Sequence, residues 1–237
     1  MSNKEGNKRA LLWGLYTRSQ RADHKELLVE SFMDDHLYQY MANAEGKPEK
    51  ARPLLQAFMD IEERIMIATG QLVSLIDIET QQTLGGFTVV HSDNIKQRNK
   101  LLNSFTNTWP YYRAYLTPAH RHMWHRYSVN MSANAWIEEM HSTVMGNEPH
   151  LYVIMIATRK GMEGRGIGSD MMRGLCELAD SMGIAVYLEA THAELLHFYG
   201  KFGFVVAPGC DRTILDLEDA PMFIGCVRQA IGIRQAK

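Results

Sequence analysis

The sequence predicts a mixed α/β protein: one central sheet, mostly antiparallel, with helices on both faces. Three observations carry this. Residues 71–78 and 83–91 are two runs rich in Val, Ile, Leu and Thr joined by a short connection, which reads as a hairpin and hence antiparallel pairing. From 151 to 207 the order is strand, loop, helix, strand, helix, strand, a β-α-β arrangement. Hydrophobic residues make up 46% and charged residues 22%, enough apolar material to bury a core around such a sheet.

In chain order, residues 1–9 are polar and are expected to be disordered, and residues 10–17 read as a short buried strand. Residues 22–41 carry Leu27, Leu28, Phe32, Leu37 and Met41 at helical spacing, with a break expected near Asp34 and Asp35. Residues 45–53 read as a loop and 54–64 as a second helix. The hairpin follows. Residues 96–147 read as a helical insertion between the third and fourth strands, interrupted by Pro110 and Pro118. Residues 151–158 are continuously apolar, the pattern of a strand buried on both faces. Beyond the loop at 159–168, Met171, Met172, Leu175, Ala179 and Met182 form one helical stripe, with Asp170, Arg173, Glu177 and Asp180 opposite. Gly183 suits a left-handed helix stop. A strand at 184–190, a short helix at 193–202, a strand at 204–207 and a last strand near 222–227 complete a single domain of 1–237.

The loop at 159–168 holds Gly161, Gly164, Gly166 and Gly168 between a strand and a helix. Glycines let backbone N–H groups approach an anion closely, and the helix N-terminus favours phosphate. Three phosphate-binding patterns come into question. The nucleotide-triphosphatase loop needs a lysine where Ile167 stands. The dinucleotide fingerprint fits Gly164 and Gly166, with Ser169 in place of its third glycine and Glu189 near the ribose-binding position. That motif opens a run of parallel units, whereas here a hairpin precedes it.

The third pattern is a resemblance. EGRGIG at 163–168 resembles the Q/R-x-x-G-x-G/A signature of the GNAT superfamily of N-acetyltransferases. HLYVIMIAT at 150–158 looks like that family's fourth strand, IAVYLEAT at 184–191 like its fifth, and HFYGKFGFVV at 197–206 like its tyrosine-containing segment. Together these phrases most resemble the puromycin N-acetyltransferase-like branch. The resemblance implies a GNAT fold whose fourth and fifth strands are parallel and splayed, with an acyl-CoA-binding core at 148–207. It implies acetyl-CoA as co-substrate, with Glu163, Gly164, Arg165, Gly166, Ile167, Gly168 and Ser169 on its pyrophosphate. Ile156, Ala157 and Thr158 would hold its pantetheine arm. His192 stands where an asparagine often follows the fifth strand. Glu163 departs from the usual Gln or Arg, placing a negative side chain near the pyrophosphate, with Arg159, Lys160 and Arg165 beside it to offset the charge.

Acyl transfer from a thioester to an amine needs a polarised carbonyl, a neutral amine and a donor for the departing thiolate. By resemblance, Tyr199 is the acid. Glu189, a carboxylate in an otherwise apolar strand, is the leading base, and His150 is a further candidate. The expected reaction is acetyl transfer to a primary amine, with a small molecule as the preferred acceptor. A protein or peptide amine, and a non-catalytic acyl-CoA-binding module, are the alternatives.

Other signals are weaker. His120, His122 and His125 lie in an aromatic and basic run at 109–127, but their spacing does not share one helix face and no HExxH or cysteine partner occurs, so no metal is expected. The run reads instead as substrate-pocket wall or packing interface. The net charge of −2 supplies no global field for nucleic acid or anionic membrane. Three cysteines without a CxxC pair fit a reducing compartment. With no apolar leader or spanning run, the expectation is a cytoplasmic protein, with a homodimer left open.

Overall fold

A computed structural model describes residues 11–15, 20–42, 47–104, 109, 124–213 and 222–232. The expected disorder of residues 1–9 falls outside these. Among the described residues, seven strands form one sheet in the order β1-β2-β3-β4-β5-β7-β6. They are β1 (Leu11–Leu15), β2 (Gln71–Asp77), β3 (Thr83–His91), β4 (His150–Thr158), β5 (Ala185–Ala190), β6 (Val205–Thr213) and β7 (Met222–Arg228). All neighbours are antiparallel except β4 and β5, which run parallel. The mixed sheet with one parallel pair is the predicted one.

The helices that position the site are α1 (Arg21–Phe32), α2 (His36–Ala42), α3 (Arg52–Thr69), α4 (Ser92–Leu102), α5 (Trp124–Met145), α6 (Ile167–Met182) and α7 (Glu194–Gly200). The break between α1 and α2 falls where the paired aspartates predict it. There the Asp35 carboxylate accepts from Leu37 N at 2.9 Å, satisfying one of the orphan donors that open α2. α3 runs past its expected end to Thr69, because Ile65 and Met66 continue its buried stripe. α6 packs Met171, Met172, Leu175, Cys176 and Ala179 onto one face of the sheet. It ends at Gly183 (φ +68), where Ile184 N reaches Ala179 O and Gly183 N reaches Asp180 O, the two bonds of a left-handed stop. The opposite face is covered by α1–α3, whose core joins Leu27, Leu55 and Ile65 to Met155 and Ala157 of β4. α5 lies beside them over β5 and β7, through Met140, Val144 and Met145.

β4 differs from the expectation of burial on both faces. Its residues alternate between buried and half-buried, with Tyr152, Ile154, Ile156 and Thr158 all half-buried. The physical reason is that Tyr152 and Ile154 border an internal cavity rather than a packed helix. β4 also steps in register: Thr88 pairs with Met155 and Val89 with Val153, leaving Ile154 outside the pairing. One extra residue re-aims every side chain after it. Accordingly, Leu151 and Val153 join the core under α6, whereas Met155 and Ala157 join that of α1 and α3.

Candidate active site

β4 and β5 are paired only from His150/Ala185 to Val153/Leu188. Beyond that point Glu189 and Ala190 pair with β7, and β4 pairs with β3 alone. A wedge therefore opens between the parallel strands, bringing unpaired β4 backbone to a cleft. At its wide end a cavity of about 270 Å3 is lined by Ile156, Ala157, Thr158, Lys160 and Glu163, together with the end of α1. Ser31 Oγ donates to Thr158 O at 2.7 Å, so α1 is tied across this end of the strand.

The glycine loop closes the same end. Gly161, Gly164 and Gly166 have φ of +83, +72 and +83, a left-handed conformation that side chains with a Cβ resist. Gly166 is the N-cap of α6 and contributes no side-chain cap, so the N–H groups of Ile167, Gly168 and Ser169 open the helix without a capping oxygen. Orphan donors and the positive end of a 16-residue helix are what an anion requires. Gly168 packs at the start of α6, where a Cβ would make ordinary contacts, 3.4 Å to Phe198 and 3.7 Å to Thr158.

Glu163 does not cap that helix. Its carboxylate accepts from Gly161 N at 3.0 Å, and its own N–H and that of Gly161 hold it below the usual carboxylate range. Arg159, expected to offset it, is engaged elsewhere: Nε donates to Thr83 O at 2.6 Å and the guanidinium pairs with Asp23. Lys160 pairs with Asp34 at 2.8 Å. Arg165 is exposed and has no ion pair among the described residues. Glu163→Gln is therefore expected to tighten acetyl-CoA binding about fivefold at low salt, by removing like-charge repulsion with the pyrophosphate. Isothermal titration of both proteins at low and high ionic strength checks this, and the gain should shrink as salt is added.

At the narrow end of the wedge a second cavity, about 320 Å3, lies between β4, β5 and helices α2–α5. Three groups among its polar residues bear on the chemistry. Tyr152 Oη donates to Glu189 Oε1 at 3.0 Å. Arg98 Nη2 contacts both oxygens of Glu62, at 2.8 and 3.1 Å. His141 stacks on Tyr152 with ring centroids 4.6 Å apart, and its Nε2 lies 2.8 Å from His150 Nε2. His150 Nδ1 is 2.6 Å from Glu148 O, which makes Nδ1 the donor of His150 and His141 Nε2 the donor between the rings. Burial lowers both histidines, His141 to about 4, so the pair is neutral at pH 7.

Burial pushes the Glu189 carboxyl up to about 7, against hydrogen bonding from Tyr152 and the positive field of Arg98. A carboxylate titrating near neutrality and reaching a cavity is suited to general-base work. Because the Tyr152 hydroxyl favours the charged form, Tyr152→Phe is expected to raise the Glu189 value further. The expected reading is a pH–rate limb displaced to alkaline pH, with about a fivefold loss at pH 7 that recovers by pH 9.

The structure brings Ile156, Ala157, Thr158 and Glu163 together on the first cavity and Glu189 onto the second. His192 follows the end of β5, with Nδ1 2.8 Å from Thr191 Oγ1 and its ring 4.8 Å from that of His36. Tyr199 is 6% exposed in the core between Phe198 and Phe204, with its phenol pushed up to about 12 by burial. It borders neither cavity. His150 stands behind His141 rather than on the cavity. Sequence reasoning missed Tyr152, Arg98, Glu62 and His141. A tyrosine inside an apolar strand and an arginine on a polar helix carry no local signature; only the register of β4 against β5 unites them. Most of the aromatic and basic run, residues 110–123, lies outside the described residues.

Comparison with known proteins bears on this geometry. Residues 98–204 match the acetyltransferase (GNAT) family model. Family model and fold together support a GNAT superfamily acetyltransferase. No curated protein matches the chain in sequence. A Corynebacterium glutamicum structure, histone acetyltransferase HPA2 and related acetyltransferase, is 18% identical, covers 94% of this chain and 98% of its own, and has a TM-score of 0.59. Arylalkylamine N-acetyltransferase 2 from Aedes aegypti is 14% identical over 93% of this chain and 99% of its own, with a TM-score of 0.53. The ribosomal-protein-S18-alanine N-acetyltransferase from Escherichia coli is 8% identical over 96% of this chain and 99% of its own, with a TM-score of 0.51. At these identities the likeness is one of fold: the sheet is the GNAT sheet. Among the described residues no cluster of three or more His, Cys, Asp or Glu is placed to hold a metal, and no helix is long and apolar enough to cross a membrane.

Proposed function

We propose that this GNAT-type enzyme transfers an acetyl group from acetyl-CoA to a primary amine of a small molecule, by direct attack in a ternary complex. The observation that carries the reading is Glu189, placed where β4 and β5 part, hydrogen-bonded by Tyr152 and facing an internal cavity. The cavity, at about 320 Å3, suits a small molecule better than a folded protein surface.

In this reading the pyrophosphate binds the backbone donors of the loop from Glu163 to Ser169, and the pantetheine arm follows Ile156, Ala157 and Thr158. The amine nitrogen attacks the thioester carbonyl and the C–N bond forms. Attack acidifies the nitrogen, so a carboxylate titrating near 7 accepts its proton. The C–S bond breaks, and the thiolate leaves with Tyr199 as the proposed hydrogen-bond donor; that role is carried by the family resemblance, since the residue borders neither cavity. His192 flanks the arm beyond the end of β5. Holding both partners in one cleft supplies a proximity effect that reaches about 7–11 kcal/mol.

The test is thiol release from acetyl-CoA across a panel of small primary amines and amine-terminated peptides, alongside thermal shift with acetyl-CoA and with NAD. Stabilisation by acetyl-CoA and release with small amines support the proposal. Stabilisation by NAD alone sinks it. Binding without release across the panel would favour a non-catalytic acyl-CoA module, the reading that the Glu163 carboxylate on the loop motivates.

A further inference from the structure

The second cavity carries an asymmetry that proton transfer does not use. Arg98, on α4, is 7% exposed and lines the cavity. It meets Glu62 through Nη2 alone, and its buried Nε has no hydrogen-bond partner. A buried guanidinium donor without an acceptor is costly to maintain in an apolar surrounding. Part of the wall is apolar, with Leu37, Phe58, Ile61, Ile95, Ile137 and Phe223 lining the same space as the polar groups. Arg98, Tyr152 and Glu189 all line this one cavity, so the guanidinium and the proposed base border the space of a single occupant.

The charges decide which acceptor fits. Glu62 already neutralises Arg98, and Glu189 and Glu138 add negative charge to the same cavity. Asn99 Nδ2 donates to Glu138 at 2.9 Å, which holds that carboxylate at the cavity wall. A further carboxylate brought by the substrate would meet net repulsion, whereas a neutral oxygen would accept from Nε without it. We propose that Arg98 Nε is a recognition site for a neutral oxygen acceptor on the amine substrate, and that the substrate class is an apolar primary amine bearing a carbonyl of the amide type. This rests on the acetyltransferase reading for the identity of the amine, but the subsite itself does not require turnover.

The experiment separates the two. Two matched sets, one aromatic and one aliphatic, each contain a plain amine, the same amine with a carboxamide, and the same amine with a carboxylate. These are phenethylamine, phenylalanine amide and phenylalanine, and isopentylamine, leucine amide and leucine. Affinities for the CoA-saturated protein are measured by titration calorimetry, and KM values by thiol release. The expected result is a carboxamide preference of about tenfold or more over both other members in at least one set, the size of one hydrogen bond to a charged donor. Arg98→Lys retains the positive charge beside Glu62 but has no Nε, and the preference should collapse toward parity. The double variant Arg98→Gln/Glu62→Gln, which leaves no lone buried charge, should lose it too. Equal affinities within both sets, a preferred carboxylate, no binding by any member, or a preference that survives either variant would each overturn the subsite. Carboxamide-selective binding without thiol release would uphold it and refute the acetyltransferase reading instead.

Discussion

Replacing Glu189 by glutamine is expected to lower kcat by about 10²–10⁴-fold, the usual contribution of a positioned general base, while acetyl-CoA affinity is retained. The substitution keeps the shape and an acceptor for the Tyr152 hydroxyl, and removes only the ability to take a proton. Wild-type rate should rise with pH through about 7 and level off above it, because the carboxylate is the active form. That limb should vanish in the variant. Stability should move the other way. The folded-state value is raised from 4.5 to about 7, so the folded state holds the extra proton in that window. Folding stability therefore falls as pH climbs from about 4.5 to about 7, and the penalty is complete above it. Glutamine carries no such penalty. Thermal denaturation should show Glu189→Gln more stable than wild type at pH 8, with the difference shrinking toward pH 5. A variant that loses both activity and melting temperature at pH 8 would instead mark Glu189 as a structural partner of Tyr152.

The legible parts of this protein are those written in local pattern. The hairpin, the α1–α2 break at Asp35, the α6 stripe and the left-handed stop at Gly183 each rest on residues close together in the chain. Glu189 is legible for a related reason: a carboxylate in an apolar strand must face something polar or open. β4 reads as doubly buried because Tyr152 and Ile154, which border the cavity, are aromatic and apolar, the residue types of a core. The partners of Glu189 are out of reach of pattern because they depend on register. Tyr152 lies opposite Tyr187 across the parallel pair, and its hydroxyl reaches Glu189, the next residue on the same face of β5. Arg98 belongs to neither strand; its place is set by the packing of α4 on α3 and by the pair with Glu62.

Tyr199→Phe is the second large effect, and it separates chemistry from packing at one residue. Tyr199 is buried in the core beneath α6, where its ring meets Phe198 and Phe204. Phenylalanine preserves that ring and its contacts, so melting temperature should change little, whereas Tyr199→Ala would open a cavity costing about 3–5 kcal/mol. The phenol, pushed up to about 12, is fully protonated at pH 7. A thiol of ordinary acidity titrates about three pH units lower, so complete proton transfer from Tyr199 to the departing sulfur is uphill. What the phenol supplies is a hydrogen bond to the thiolate as charge develops on sulfur. Loss of that donor is expected to reduce kcat by about 10²-fold, the lower end of what a positioned acid contributes. The KM for acetyl-CoA should be little affected, because the charge exists only as the C–S bond breaks. The decisive comparison uses thioesters with leaving thiols of different acidity. A more acidic thiol needs less help, so the gap between wild type and Tyr199→Phe should narrow as thiol acidity rises. Full turnover by Tyr199→Phe on acetyl-CoA would leave the tyrosine as a packing residue and move the donor to the backbone N–H groups of the splayed β4 edge.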